Sequence, residues 1–220
     1  MTLSPKGERM FVQAQPVEES HTPLTTLKVS PSHPGHMYTD ILVEPNRWIT
    51  EACEEARMSV EAGGGPFGAV LIQVDDETHQ VLRYWRDHNH VTEYMDPTAH
   101  AEVSVIRSAC HELNVYDLGA IMKPESMLPQ VGETSHCEIY SSCEPCPMCY
   151  AAIRWARIPV LVFSATRHEA SHPDVGFSDE EVYEDLSKSY PDRFIRVHQA
   201  VCLNSLRAFE AWKKSGNPRY

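Results

Sequence analysis

Two short clusters carry residue types that make chemical sense together: Pro97-Thr98-Ala99-His100-Ala101-Glu102 and Pro145-Cys146-Pro147-Met148-Cys149. His100, Cys146 and Cys149 are ligands of the kind a zinc ion takes, and three protein ligands leave the fourth tetrahedral position to water. Two thiolates offset the charge of Zn²⁺ and a neutral imidazole adds none, so the metal stays acidic enough to activate that water near neutral pH. Glu102, two residues past the histidine, is placed to carry the water's protons. The chemistry implied is hydrolysis at an electrophilic carbon. The same ligands also fit a closed structural site completed by Cys143, His136 or Cys137, and a lone CxxC fits a redox pair. The order HAE then PCxxC, each opening a helical pattern with Glu102 heading an apolar stripe, favours catalysis. Cys143, just ahead of the second cluster, reads as a packing residue.

The elements that must position these groups follow from periodicity. Trp48, Ile49, Ala52, Cys53, Ala56 and Val60 recur at helical spacing across residues 45–62, and Gly63-Gly64-Gly65 stops the run. Residues 66–74 read as a buried strand, 75–78 as a turn and 80–85 as its hairpin partner. A loop over 87–97 leads to a helix over 99–113, with Ser104, Arg107, Ser108, His111 and Glu112 as its polar face and Ile106, Ala109 and Leu113 sharing a stripe with Glu102. Residues 114–135 read as a surface loop. Strands over 137–142, 160–165 and 194–201 and helices over 146–157, 179–187 and 203–214 complete the pattern. This order implies one mixed sheet covered on both faces.

Residues 1–40 are rich in proline, with Pro5, Pro16, Pro23, Pro31 and Pro34, and lack a sustained period. They read as an extension, disordered or draped over the surface, ahead of one domain at 41–220. Thirty-one acidic against 19 basic residues give a formal charge of -12, which disfavours extended contact with a nucleic acid. Arg207, Lys213, Lys214 and Arg219 form one basic cluster, read as a solvated helix face. Seven cysteines at spacings unlike a disulfide framework point to a reducing compartment. With no signal pattern and no apolar run long enough to span a bilayer, the expected place is the cytoplasm.

Residues 64–70 (GGPFGAV), 96–103 (DPTAHAEV) and 142–149 (SCEPCPMC) closely resemble the guanine deaminases of the cytidine-deaminase fold. The likeness covers residues 45–220. It implies a cytidine deaminase-like three-layer α/β/α sandwich with a mixed five-stranded sheet. It further implies a zinc-dependent aminohydrolase converting guanine to xanthine and ammonia, with His100, Cys146 and Cys149 on Zn²⁺ and Glu102 shuttling protons. Asn89 matches the position that hydrogen-bonds the base. Phe67 and Trp155 lie where members of the family hold aromatics near the ring, and Glu144 offers its carbonyl to the amino group. The terminal segment around Phe209-Glu210-Ala211-Trp212 resembles a tail that the family exchanges within a homodimer, closing the pocket with the last residue, here Tyr220.

Glu169 falls where the family carries an aspartate at the guanine edge. A carboxylate one methylene longer widens the expected substrates to a guanine nucleoside, an aminopyrimidine or an aminotriazine. Two other readings stand beside the free amino-heterocycle. A tRNA adenosine deaminase shares the metal motif but needs a polyanion surface, and a non-catalytic zinc-stabilised interaction module would not depend on Glu102.

Overall fold

The computed structural model describes residues 11–20, 38, 40–41 and 46–219. α1 (Arg47–Glu61) begins where the Asn46 side chain accepts from the backbone N–H of Trp48 at 2.8 Å and of Ile49 at 3.4 Å, satisfying two of the donors that a helix start leaves open. It ends at Gly63, whose φ of +88° suits a residue without Cβ. β2 (Gly68–Asp75) follows, buried along its whole length. Gly68 permits close packing here: a Cβ would come within 2.3 Å of the Ala52 carbonyl oxygen on α1.

β3 (Gln80–His88) pairs antiparallel with β2, and β5 (Thr134–Cys143) pairs antiparallel with β2 on its other side. β6 (Val160–Ala165) adds to β5 in parallel, which makes the sheet mixed. Alternation along β2 divides the core. Ala69 and Leu71 face α3 (Ala101–Leu113) and α4 (Pro147–Trp155), where Val105, Ala109, Leu113 and Ile153 are buried, while Val70, Ile72 and Val74 face Trp48 and Ala52 of α1. The result is helix, sheet, helix, the expected three layers.

The sheet differs from expectation at both ends of the chain. It has six strands among the described residues. β1 (Gln15–Ser20), inside the proline-rich extension, pairs antiparallel with the outer edge of β3, with a register shift between Pro16 and Glu19. A proline is tolerated there because an edge strand has donors to spare. β4 (Ile121–Met122) pairs with the start of β5 inside the stretch read as a surface loop. Leu118 and Ile121 in that stretch are fully buried. The strand expected over 194–201 is absent, and those residues are irregular. Residues 180–220 form a second compact unit built from α6 (Glu180–Ser187), a 3₁₀ turn at Tyr190–Asp192 and α7 (Arg207–Ser215). No strand in that unit offers a ladder, and the backbone N–H of Phe194 bonds to Asp185 Oδ1 at 2.7 Å instead.

The polar face of α3 is only partly a solvent face, with Arg107 and His111 exposed. Ser104 and Ser108 are buried, and residues 11–14 bond to the Ser108 end of this face. The Val12 N–H donates to Ser108 Oγ at 3.1 Å, the Ala14 N–H to Glu112 Oε2 at 2.8 Å, and the Phe11 ring stacks on His111 at 4.4 Å.

Candidate active site

The site forms where α3 and α4 begin. His100 is the residue before α3 and Cys146 the residue before α4; both have extended backbone angles and neither spends its side chain on capping. Pro147 opens α4, where its missing N–H costs nothing. Cys149 follows one turn later and is fully buried. His100 Nδ1 lies 3.6 Å from Cys146 Sγ and 3.5 Å from Cys149 Sγ. Tetrahedral zinc with bonds of about 2.3 Å to sulfur and about 2.0 Å to nitrogen sets such a separation at about 3.5 Å. The hydrogen bond from Cys149 chiefly, and His100 beyond it, lower the Cys146 pKa to about 4, and the same bond raises that of Cys149. A site that already stabilises one thiolate beside an imidazole suits a dication that displaces the remaining proton.

The alternative fourth ligands are engaged elsewhere. Cys143 is buried, its pKa pushed up to about 12 by burial, and its thiol points to the Thr166 carbonyl oxygen at 3.7 Å. His136 Nδ1 lies 2.5 Å from Asp76 Oδ1. Cys137 belongs to the hydrophobic core.

Glu102, only 6% exposed, sits beside the three ligands. Ser141 Oγ donates to its Oε1 at 3.0 Å, and Cys149 Sγ lies 3.4 Å from its Oε2. Burial holds its carboxyl above the ordinary value, with the Cys146 thiolate adding to the shift. A carboxyl poised so can both accept and return a proton.

A cavity of about 420 Å³ opens onto His100, Cys146 and Glu102. Phe67, Asn89 and Glu144, three of the residues expected at the substrate, line it. Asn89 is buried; its N–H donates to the Phe67 carbonyl oxygen at 3.0 Å and its Oδ1 accepts from the Val91 N–H at 3.1 Å. The Phe67 ring meets Phe177 edge-on at 5.0 Å. Glu144 Oε2 accepts from the Arg167 N–H at 3.0 Å and from the Tyr38 hydroxyl at 2.8 Å.

Two expected contacts are placed otherwise, and a third lies outside the described residues. Trp155, at the end of α4, is 70% exposed and outside the cavity wall. Glu169 lies in α5 (Arg167–Ala170), where it closes a capping box: its carboxylate accepts from the N–H and hydroxyl of Thr166. Glu169 is not among the residues that line the cavity. Tyr220 lies outside the described residues. Beside Glu102 and Glu144, the cavity is lined by the carboxylate of Asp179, its pKa held above the ordinary value by burial first and by the Cys146 thiolate next. The signal for it in the sequence is the run Gly176-Phe177-Ser178-Asp179, an aromatic and a carboxylate immediately ahead of a helix. Arg167 in the wall and Tyr38 behind Glu144 had no such signal.

The family model described as "Cytidine and deoxycytidylate deaminase zinc-binding region" matches residues 43–165. The guanine deaminase of Bacillus subtilis (strain 168) is 38% identical over 174 residues, which is 79% of this chain and 94% of that protein. The crystal structure of guanine deaminase from that organism superposes with a TM-score of 0.64 at 35% identity, covering 80% of this chain and 99% of the other. A tRNA-specific adenosine deaminase of Aquifex aeolicus is 34% identical over 118 residues, 54% of this chain and 64% of that protein. The three-ligand cluster, the buried carboxyl beside it and this breadth of likeness agree: the chain belongs to the cytidine and deoxycytidylate deaminase family, as a zinc-dependent aminohydrolase homologous to guanine deaminase.

Proposed function

We propose that this enzyme hydrolyses guanine to xanthine and ammonia. The observation that carries the reading is the cavity itself. It places an amide, a carboxylate and an aromatic ring, from Asn89, Asp179 and Phe67, around a space whose floor holds His100, Cys146 and Glu102. A flat ring with donors and acceptors along its edge matches such a wall. Asp179 removes the reason for preferring a ring other than guanine, since a short carboxylate is available at the cavity.

His100, Cys146 and Cys149 would hold a zinc ion, which would supply the acidity that makes a water nucleophilic at neutral pH. Glu102 takes the proton released from that water and delivers it to the ring nitrogen beside C2. The C2–oxygen bond forms at that carbon. Glu102 then takes the proton of the new C2 hydroxyl and passes it to the 2-amino group, the C2–nitrogen bond breaks as the C2 carbonyl forms, and ammonia leaves. Guanine plus water thus balances xanthine plus ammonia. Ser141, bonded to Glu102 Oε1 at 3.0 Å, keeps the other carboxyl oxygen turned to the cavity throughout.

The reading extends to a cytoplasmic homodimer. Among the described residues no helix is long and apolar enough to cross a membrane, and residues 207–215 form a helix with no buried residue, suited to pairing with a second copy. Zinc-loaded protein incubated with guanine, with xanthine followed chromatographically, tests the activity. Xanthine formation by the wild type and not by Glu102→Gln supports it, and absence of xanthine refutes it.

A further inference from the structure

A second cluster of ionisable side chains, which the hydrolytic steps do not use, lies around Asn89. β3 ends with Asp87 and His88, and His90 stands immediately before α2 (Val91–Tyr94). His90 is only 7% exposed. Its Nε2 lies 2.7 Å from Asp87 Oδ1 and its Nδ1 2.8 Å from Glu93 Oε2, and its ring stacks on Tyr94 at 4.5 Å. The imidazole therefore closes the chain from residue 87 to residue 93 into a loop, with Asn89 inside it.

We infer that His90 is a positioning residue for substrate recognition: by tying Asp87 to Glu93 it fixes the turn that presents Asn89 to the cavity, and so sets affinity for the ring. The inference rests on the reading of Asn89 as a contact to the base. Three further bonds show how tightly that turn is specified. The Asn89 N–H donates to the Phe67 carbonyl oxygen at 3.0 Å, the Val91 N–H to Asn89 Oδ1 at 3.1 Å, and the His90 N–H to the Ala99 carbonyl oxygen at 2.9 Å. With Oδ1 taken by Val91, the Asn89 amide plane is set, and among the described residues its Nδ2 is left without a hydrogen bond at a residue that lines the cavity.

Donation to two carboxylates uses both ring nitrogens, which is the imidazolium form. Burial opposes that charge, but Asp87 first and Glu93 next outweigh it and hold the His90 pKa above its ordinary value. The neighbouring charges are accounted for. His88, on the same strand, has its ring 4.4 Å from that of His90 and its Nδ1 3.7 Å from Glu55 Oε2 on α1. Arg86 pairs with Glu51 and Glu55 of α1. Tyr94 on α2 presents its ring face. Asp87, His88 and His90 are also close enough to share a cation. However, the 2.7 Å between His90 Nε2 and Asp87 Oδ1 is a hydrogen-bond length, shorter than the roughly 3.3 Å between a nitrogen and an oxygen on one tetrahedral zinc.

His90→Phe keeps a ring on Tyr94 and loses both bonds. Its KM for guanine is expected to rise about tenfold with kcat within about twofold, and zinc is expected to stay at one per chain. His90→Gln, which keeps one donor, is expected to recover part of the KM. The double variant with Asn89→Ala should be no worse than Asn89→Ala alone, because the two act as a unit. The wild-type KM should rise as pH passes upward through the His90 pKa, since the neutral ring has one N–H for two carboxylates, and this limb should vanish in His90→Phe. Amide exchange at Val91 gives an arm independent of substrate, and protection there should fall in His90→Phe. An unchanged KM with unchanged Val91 protection, a kcat that falls in step with the affinity, or a second zinc lost with His90 would each overturn the inference. If the wild type does not turn over guanine, the guanine reading fails and Val91 exchange alone decides for or against the brace.

Discussion

Glu102 is the residue on which turnover is proposed to depend, because its carboxyl is both buried and within reach of the ligand set. Glu102→Gln keeps the shape and the hydrogen bond from Ser141 but cannot carry a proton. It should retain wild-type zinc content and lose about 10²–10⁴-fold in kcat, checked by metal analysis alongside steady-state assay. Glu169 gives the contrasting case. Its carboxylate caps α5 through Thr166, so Glu169→Ala should cost about 1 kcal/mol of stability and leave KM for guanine within about twofold, read by urea melts and by kinetics. The His, Glu and Cys of the ligand clusters are legible in the sequence because spacing alone puts them at helix starts. The acid in the cavity wall is not, because a carboxylate that caps its own helix and one that faces a cavity occupy the same kind of loop. Only the fold separates Glu169 from Asp179.

At the scale of elements, residues 11–20 are part of the domain's structure. Glu112 Oε2 accepts from both the Ala14 N–H and the Trp85 indole N–H, at 2.8 and 3.0 Å, which joins that segment to α3 and β3. Glu112→Ala leaves two donors without their acceptor and should destabilise the protein by about 1–3 kcal/mol. For a chain of this size that is a fall of several degrees in Tm, with kcat/KM for guanine little changed. A second link joins β5 to the turn between β2 and β3. His136 lies 3.5 Å from Glu138 and 2.5 Å from Asp76, and Glu138 first, then Asp76, raise its pKa against the effect of burial. The folded value lies above the unfolded value of about 6.5. The stabilisation is therefore fully present below that pH and is lost as pH rises through the folded value. Urea melts of the wild type across this window should show falling stability, and His136→Gln should flatten the slope.

The element pattern was legible wherever one face met the core: α1, β2, β3, α3, α4 and β6 lie where periodicity puts them to within a few residues. β1 was not, because edge pairing is made by the backbone, and a proline-bearing segment shows no alternation that would announce it. The irregular stretch over 194–201 shows the converse: apolar residues alone do not make a strand without a partner edge.

Considered whole, the molecule joins a cluster of three candidate metal ligands to a cavity walled by amide, carboxylate and aromatic groups. In the proposed reading the metal ligands serve hydrolysis of a C–N bond, and Asn89, Phe67 and Asp179, which line the cavity, select the ring that is held. The net charge of -12 bears on the same choice. A small neutral base reaches the cavity without help from the surface field, whereas a tRNA would need basic groups that displace counterions, with affinity falling steeply in salt. The most direct measurement is therefore kcat/KM by ammonia release, on one zinc-loaded preparation, for guanine, guanosine, adenine, cytosine, an aminotriazine and a tRNA anticodon stem-loop, at low and high salt. Guanine is expected to exceed every other substrate by at least about tenfold, with a rate indifferent to salt. Release of ammonia from the stem-loop or from another ring in preference to guanine would contradict the assignment.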